Sequence, residues 1–276
     1  MAPSFASPGA LRRGAALALS LAALARPARA ADEPSFKSEA EPSRVTRQER
    51  PFAFAVDPST PSAGVWSAGY AFGLGSGVAA DRPLPVNMAS ASGSSTFSVA
   101  VGATDRLAPF LSATLADAGT SSPTKSYAAG LTWQVTHPAA PLRLTVTAGG
   151  MHEGESGANG ATALVAASLE EGPLRFVANV RADKVFAAGR DSVDYLVVLG
   201  TAWRLGTAFR LGAEYVGQDL EETFADEAEG GARHALGPTL SLDLDGGRYQ
   251  VAVGSGFGLT ARSPRAVARG TVAVNF

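Results

Sequence analysis

The sequence predicts an all-β chain. Its fold class is a transmembrane up-and-down antiparallel β-barrel of about twelve strands, behind a cleaved signal peptide. Three observations predict it. From Gly64 onward, apolar residues recur at every second position in segments close to ten residues long, the mark of strands with one greasy face. The connections between these segments alternate between short and long, as in barrels with tight turns at one membrane face and longer loops at the other. Outside residues 1–30 no apolar stretch reaches the ~18–20 residues that a spanning helix needs. A mature chain embedded in lipid must then be a closed barrel, the other structure that satisfies its own backbone hydrogen bonds.

Composition excludes several classes. The chain has 276 residues, with 23 Lys+Arg against 25 Asp+Glu, so its formal net charge is −2. That balance argues against a general nucleic-acid binder, which needs clustered cations to displace counterions. With no cysteine, neither a disulfide framework nor a Cys-based zinc site can form. Charged residues make up only 17%, below the roughly one quarter usual in soluble domains. No cofactor or metal site is expected.

Residues 1–30 read as an export signal. Arg12 and Arg13 form a positive start, Ala15 to Ala25 an apolar run of 11, and Ala28-Arg29-Ala30 a cleavage site of small residues, leaving Ala31 as the mature start. Residues 31–62 are rich in Pro, Ser, Glu and Arg and read as a flexible periplasmic extension, with a plug inside the barrel as the sharper alternative. Residues 63–276 make the barrel.

Its strands are expected at about 64–74, 95–104, 107–116, 126–136, 142–150, 160–169, 174–183, 193–204, 208–218, 234–244, 248–259 and 266–276. The alternation is cleanest from Tyr127 to Thr136. There Tyr127, Ala129, Leu131, Trp133 and Val135 oppose Ala128, Gly130, Thr132, Gln134 and Thr136. Pro109 and Pro238 fall inside two of the segments, and since proline removes a ladder donor they predict bulges or strand ends there. The apolar faces carry Trp66, Tyr70, Tyr127, Trp133, Tyr195, Trp203, Phe209 and Tyr215, whereas the opposite faces carry Gly, Thr, Gln and charges that would make a poor dry core. The apolar faces are therefore expected to point outward, to lipid, in contrast to a soluble barrel.

The chain closes on Val272-Ala273-Val274-Asn275-Phe276, an alternating strand with an aromatic carboxy terminus. Here the sequence resembles the bacterial outer-membrane β-barrel proteins as a broad class. The resemblance implies that Phe276 belongs to a signal read by the barrel-assembly machinery. It also implies a setting of outer-membrane lipid and lipopolysaccharide, with both termini periplasmic.

Outward apolar faces leave an inward set of Arg143, Arg175, Asn179, Arg181, Asp183, Asp194, Arg204, Arg210, Glu214, Asp243 and Arg269. Two readings follow. In one, these residues neutralise one another as ion pairs. In the other, they line a pore that favours anions. Inward Ala, Gly, Ser and Thr on several strands leave room for water or for an inserted segment, and the 75–94 connection is long enough to be that insert. The expected function is a porin-like passive channel for small solutes, anionic ones where the second of these readings holds. A non-conducting structural or surface-interaction barrel is the alternative, and an outer-membrane hydrolase the more distant one. A hydrolase would draw on His152 with Glu153, Glu155 and Ser156 in one loop, without any strand-borne triad, so the chain is not expected to be an enzyme. The acidic connection at 219–233 lacks the D-x-D-x-D-G spacing of a calcium loop.

Overall fold

The structure, a computed structural model, describes residues 50–76, 93–117, 124–154, 156–187, 193–218, 233–260 and 263–276. The signal peptide, residues 31–49, most of the 75–94 connection and acidic residues 219–232 lie outside the described residues.

Twelve antiparallel strands close into one barrel. They are β1 (Trp66–Ser76), β2 (Gly93–Val101), β3 (Leu107–Asp117), β4 (Thr124–Gln134), β5 (Leu142–Glu153), β6 (Asn159–Glu171), β7 (Leu174–Val185), β8 (Asp194–Leu205), β9 (Phe209–Gln218), β10 (Arg233–Leu244), β11 (Tyr249–Gly258) and β12 (Ala266–Asn275). Every strand end falls within three residues of the expected boundary. Each strand pairs with its sequence neighbours, and β1 pairs with β12 to close the circle. At that seam the Trp66 N–H donates to the Phe276 carbonyl at 2.9 Å, and the Phe276 N–H returns a bond to Trp66 at 3.0 Å. Both ends of the barrel thus meet on one rim, called here the terminal rim.

The period-two pattern becomes an inside and an outside. Along β4, Tyr127, Ala129, Leu131 and Trp133 are exposed, while Ser126 and Gln134 are buried. Leu111, Phe176, Val180, Leu199, Trp203, Leu211 and Phe257 extend the same exposed belt around other strands. So large a contiguous apolar surface marks a partner phase, and around a closed barrel that phase is lipid. The lipid-facing assignment therefore holds, and the soluble-barrel arrangement does not. Gly270 is a weak lipid-facing residue in sequence. In the fold, the Phe72 ring of β1 covers it, so that a Cβ there would sit 2.4 Å from the ring.

The two prolines are accommodated without bulges. Pro109 lies one step beyond the β2 ladder, whose pairing stops at Ala100 opposite Phe110. At Gly237-Pro238 the β10–β11 ladder lapses and then resumes in the same register, with Leu236 opposite Phe257 and Thr239 opposite Gly254. On the terminal rim, the turn into β11 runs through Asp245, Gly246 and Gly247, all at positive φ (51°, 60° and 82°), where glycine costs least. The sorting of connections is looser than expected: residues 135–141 on the terminal rim outnumber residues 154–158 on the far rim.

The largest departure lies inside. Residues 50–62, the described part of the 31–62 segment, run through the lumen as an irregular strap before turning into β1, as the plug alternative has it. Phe52, Ala53, Asp57, Ser59 and Thr60 are all at most 3% exposed. Phe52 and Phe54 pack with Val177, Val198, Ala202, Val216 and Ala252, a small apolar core within an otherwise polar interior.

Candidate functional site

The lumen and its strap form the candidate site. Extended backbone cannot sit inside a barrel unless its N–H and C=O groups find partners. The wall supplies them. The Glu214 carboxylate on β9 accepts the amides of Ala53 (2.9 Å), Phe54 (2.9 Å) and Ala55 (2.7 Å). Asn179 on β7 accepts the Val56 amide at 2.6 Å and donates to the Val56 carbonyl at 2.8 Å. Nearer the terminal rim, Thr60 bonds Gln134 through its amide (3.2 Å) and its hydroxyl (3.0 Å). The Ala63 amide then reaches Asp105 at 3.1 Å.

Glycines make the space. Gly200 stands between Val177 and Glu214 in the β7–β8–β9 ladders, and a Cβ there would lie 2.9 Å from the Phe52 ring. On β11, a Cβ at Gly254 would lie 2.8 Å from that of Ala53. The upper strap lies against β7 to β11, while its lower part reaches Gln134 on β4 and Arg143 on β5, and space is left between it and the rest of the β2–β6 wall. A cavity of about 240 Å³ remains there. Its wall side presents hydroxyls, among them Ser98, Ser112 and Ser126, and it includes the cross-strand pairs Thr96–Thr114 and Thr132–Thr147, each at 2.9 Å. Arg50, Arg181 and Arg269 also border it. A wider vestibule of about 1400 Å³ opens at the terminal rim, bordered by Arg106, Arg143, Arg204 and Arg210 with Asp105, Asp243 and Asp245.

The predicted inward residues fall into three groups. At the terminal rim, Arg175 meets the strap's Asp57 at 3.0 Å, with Arg143 at 4.0 Å from the same carboxylate. Beside them Arg204 pairs with Glu170, and Arg210 lies 3.6 Å from Asp243. Toward the far rim Arg181 bonds Asp183 at 2.9 Å, and Asp194 stands opposite Asp183 in the ladder. Glu214 and Arg269 lie between, Glu214 covered by the strap and Arg269 on the residual cavity. Much of the arginine set is thus ion-paired, which is the neutralising arrangement, yet several of the same arginines border open space. Arg50 and Asp57 were missing from the expected set, and Gln134, Gln218 and Gln250, on the polar faces by alternation, were not counted among the lining residues. The last three are buried inward glutamines, recoverable from the alternation alone.

Among the described residues the hydrolase constellation does not come together. The Ser156 hydroxyl donates to Glu153 at 3.1 Å, while His152 shares a 2.9 Å hydrogen bond with Asn159 across the β5–β6 pair. Glu155 lies outside the described residues, as does nearly all of the acidic connection. Among the described residues no group of three His, Asp or Glu side chains is placed to hold a metal.

A closed twelve-stranded barrel with an apolar exterior and a polar, partly open lumen defines the transmembrane β-barrel class. Solved structures bear out that fold. The COG4313 outer membrane channel from Pseudomonas putida F1 superposes with a TM-score of 0.54 at 12% identity, over 80% of this chain and 98% of that one. The KdgM porin in complex with disordered oligogalacturonate gives a TM-score of 0.51 at 8% identity, over 76% and 98%. No family model matches the sequence, and no curated protein matches it.

Proposed function

We propose that the chain is a porin-like passive channel of the bacterial outer membrane for small, hydrophilic, anionic solutes. One observation carries this reading: the cavity left beside the strap has a hydroxyl wall facing Arg50, Arg181 and Arg269. Hydroxyls replace the hydration of a polar solute, and arginines favour negative charge. The two barrels cited above are a channel and a porin, the latter in complex with oligogalacturonate, a polyanion, which agrees with this choice of solute. In this proposal the terminal rim is periplasmic, the belt lies in outer-membrane lipid with lipopolysaccharide above it, and the Phe276 ring, 59% exposed, serves the assembly machinery. A specific observation favours the second reading, a non-conducting barrel, since the strap occupies much of the lumen.

Planar-bilayer recording of the refolded protein separates them. The channel reading expects single-channel steps and, under a potassium chloride gradient, a reversal potential on the anion-selective side. Arg181→Gln with Arg269→Gln should move that potential toward zero. Absence of steps in every salt tested would leave the non-conducting barrel.

A further inference from the structure

Asp57 is the only acidic residue in the strap, and its side chain is fully buried against the Arg175 guanidinium, itself 2% exposed. Pro58 restricts Asp57 to an extended backbone, so the strap delivers this carboxylate along a set path. Arg143, the second arginine at Asp57, also borders the vestibule that opens at the terminal rim. A carboxylate entering through that vestibule therefore meets the same guanidinium that Asp57 faces from within. Arg204 and Arg210 border the vestibule too, each ion-paired, with Glu170 and Asp243. Guanidinium groups bind carboxylates through two parallel N–H donors, whatever molecule carries the carboxylate.

We infer that Arg143 and Arg175 form a carboxylate-binding site in the lumen and that Asp57 is its built-in ligand, displaced when a small dicarboxylate takes its place. This deepens the channel reading and rests on it for the solute's route. Asp57 is tethered, so it competes at an effective concentration of the order of millimolar. A monocarboxylate at similar concentration gains nothing over it. A dicarboxylate engages a second arginine as well and wins. Displacement loosens the strap around residues 57–59, between the Glu214 and Asn179 bonds on one side and the Thr60–Gln134 bonds on the other.

The chain has no cysteine, so one introduced thiol reports on the strap alone. Ser59, two residues from Asp57, is 2% exposed. Ser59→Cys in the otherwise intact refolded barrel should react slowly with an impermeant maleimide. Succinate, added at constant ionic strength against chloride and acetate controls, should accelerate labelling about tenfold, and Asp57→Asn should do so without succinate. Arg175→Gln should label fast and ignore succinate, and Arg143→Gln should blunt the response, with heat-dependent gel mobility confirming that each barrel has folded. The inference is overturned if succinate leaves the Ser59→Cys rate unchanged, if it acts equally in Arg175→Gln, or if Asp57→Asn labels as slowly as its parent. Labelling needs no current, so the two readings fail separately. A barrel that responds to succinate without conducting loses the channel, and one that conducts without responding loses the site.

Discussion

Replacing Glu214 by Gln perturbs the strap at its firmest attachment while hardly changing side-chain volume. One carboxylate oxygen accepts Phe54 and Ala55, and the other accepts Ala53. Glutamine keeps one acceptor oxygen, so two bonds survive, now to a neutral group. Its NH₂ then meets the Ala53 N–H donor to donor. Hydrogen bonds to a charged group contribute about 1.5–3 kcal/mol and neutral ones about 0.5–1.5, so the two survivors lose about 1 kcal/mol each. The orphaned buried amide adds about 1–3 kcal/mol. Removing a buried charge recovers part of this through desolvation. A net loss near 3 kcal/mol corresponds to roughly a hundredfold rise in strap opening, at about 1.4 kcal/mol per tenfold. Hydrogen–deuterium exchange of the refolded protein reads it directly. Amides 53–55 should exchange about a hundredfold faster in Glu214→Gln, with the strand amides of β3 to β6 unchanged. Wild-type protection of 53–55 in the variant would refute the claim that this carboxylate holds the strap.

Two further outcomes follow from the packing. Gly200→Leu fills the recess that holds Phe52, so the ring must leave and the strap with it; single-channel conductance should rise while the barrel still shows its heat-dependent gel shift. Val165→Arg places a charge on the lipid face at the middle of β6, which should cost about 2–4 kcal/mol of stability, read by urea titration in lipid vesicles.

The barrel was legible because its determinants are local. Strict alternation from Tyr127 to Trp133 survives as exposed against buried positions, and the aromatic and aliphatic face points to lipid as read. Residues that looked weak locally make sense only with their neighbours across the sheet, as Gly270 does beneath Phe72. The strap was legible only as the plug alternative for residues 31–62, for the same reason. Its contacts to Glu214 span about 160 residues of sequence, so nothing near Phe52 announces them. A faint signal does exist: Phe52, Phe54 and Val56 alternate with Ala53 and Ala55 within a stretch otherwise rich in Pro, Ser and charge. The ion pairs were half legible. Arg175 and Arg210 were placed inward by parity, and so was Asp243 on the neighbouring strand β10, but Asp57, the partner of Arg175, lies on the strap.

Only residues 63–65 separate the strap from β1, and β1 joins β12 at the seam. That short leash bears on how the molecule is made. The closing ladder pairs the first strand with the last, a contact of the greatest sequence separation and so among the slowest to form. The strap's contacts on β7, β9 and β11 do not depend on that last pairing. The sheet can therefore gather around its own leading segment before the cylinder shuts.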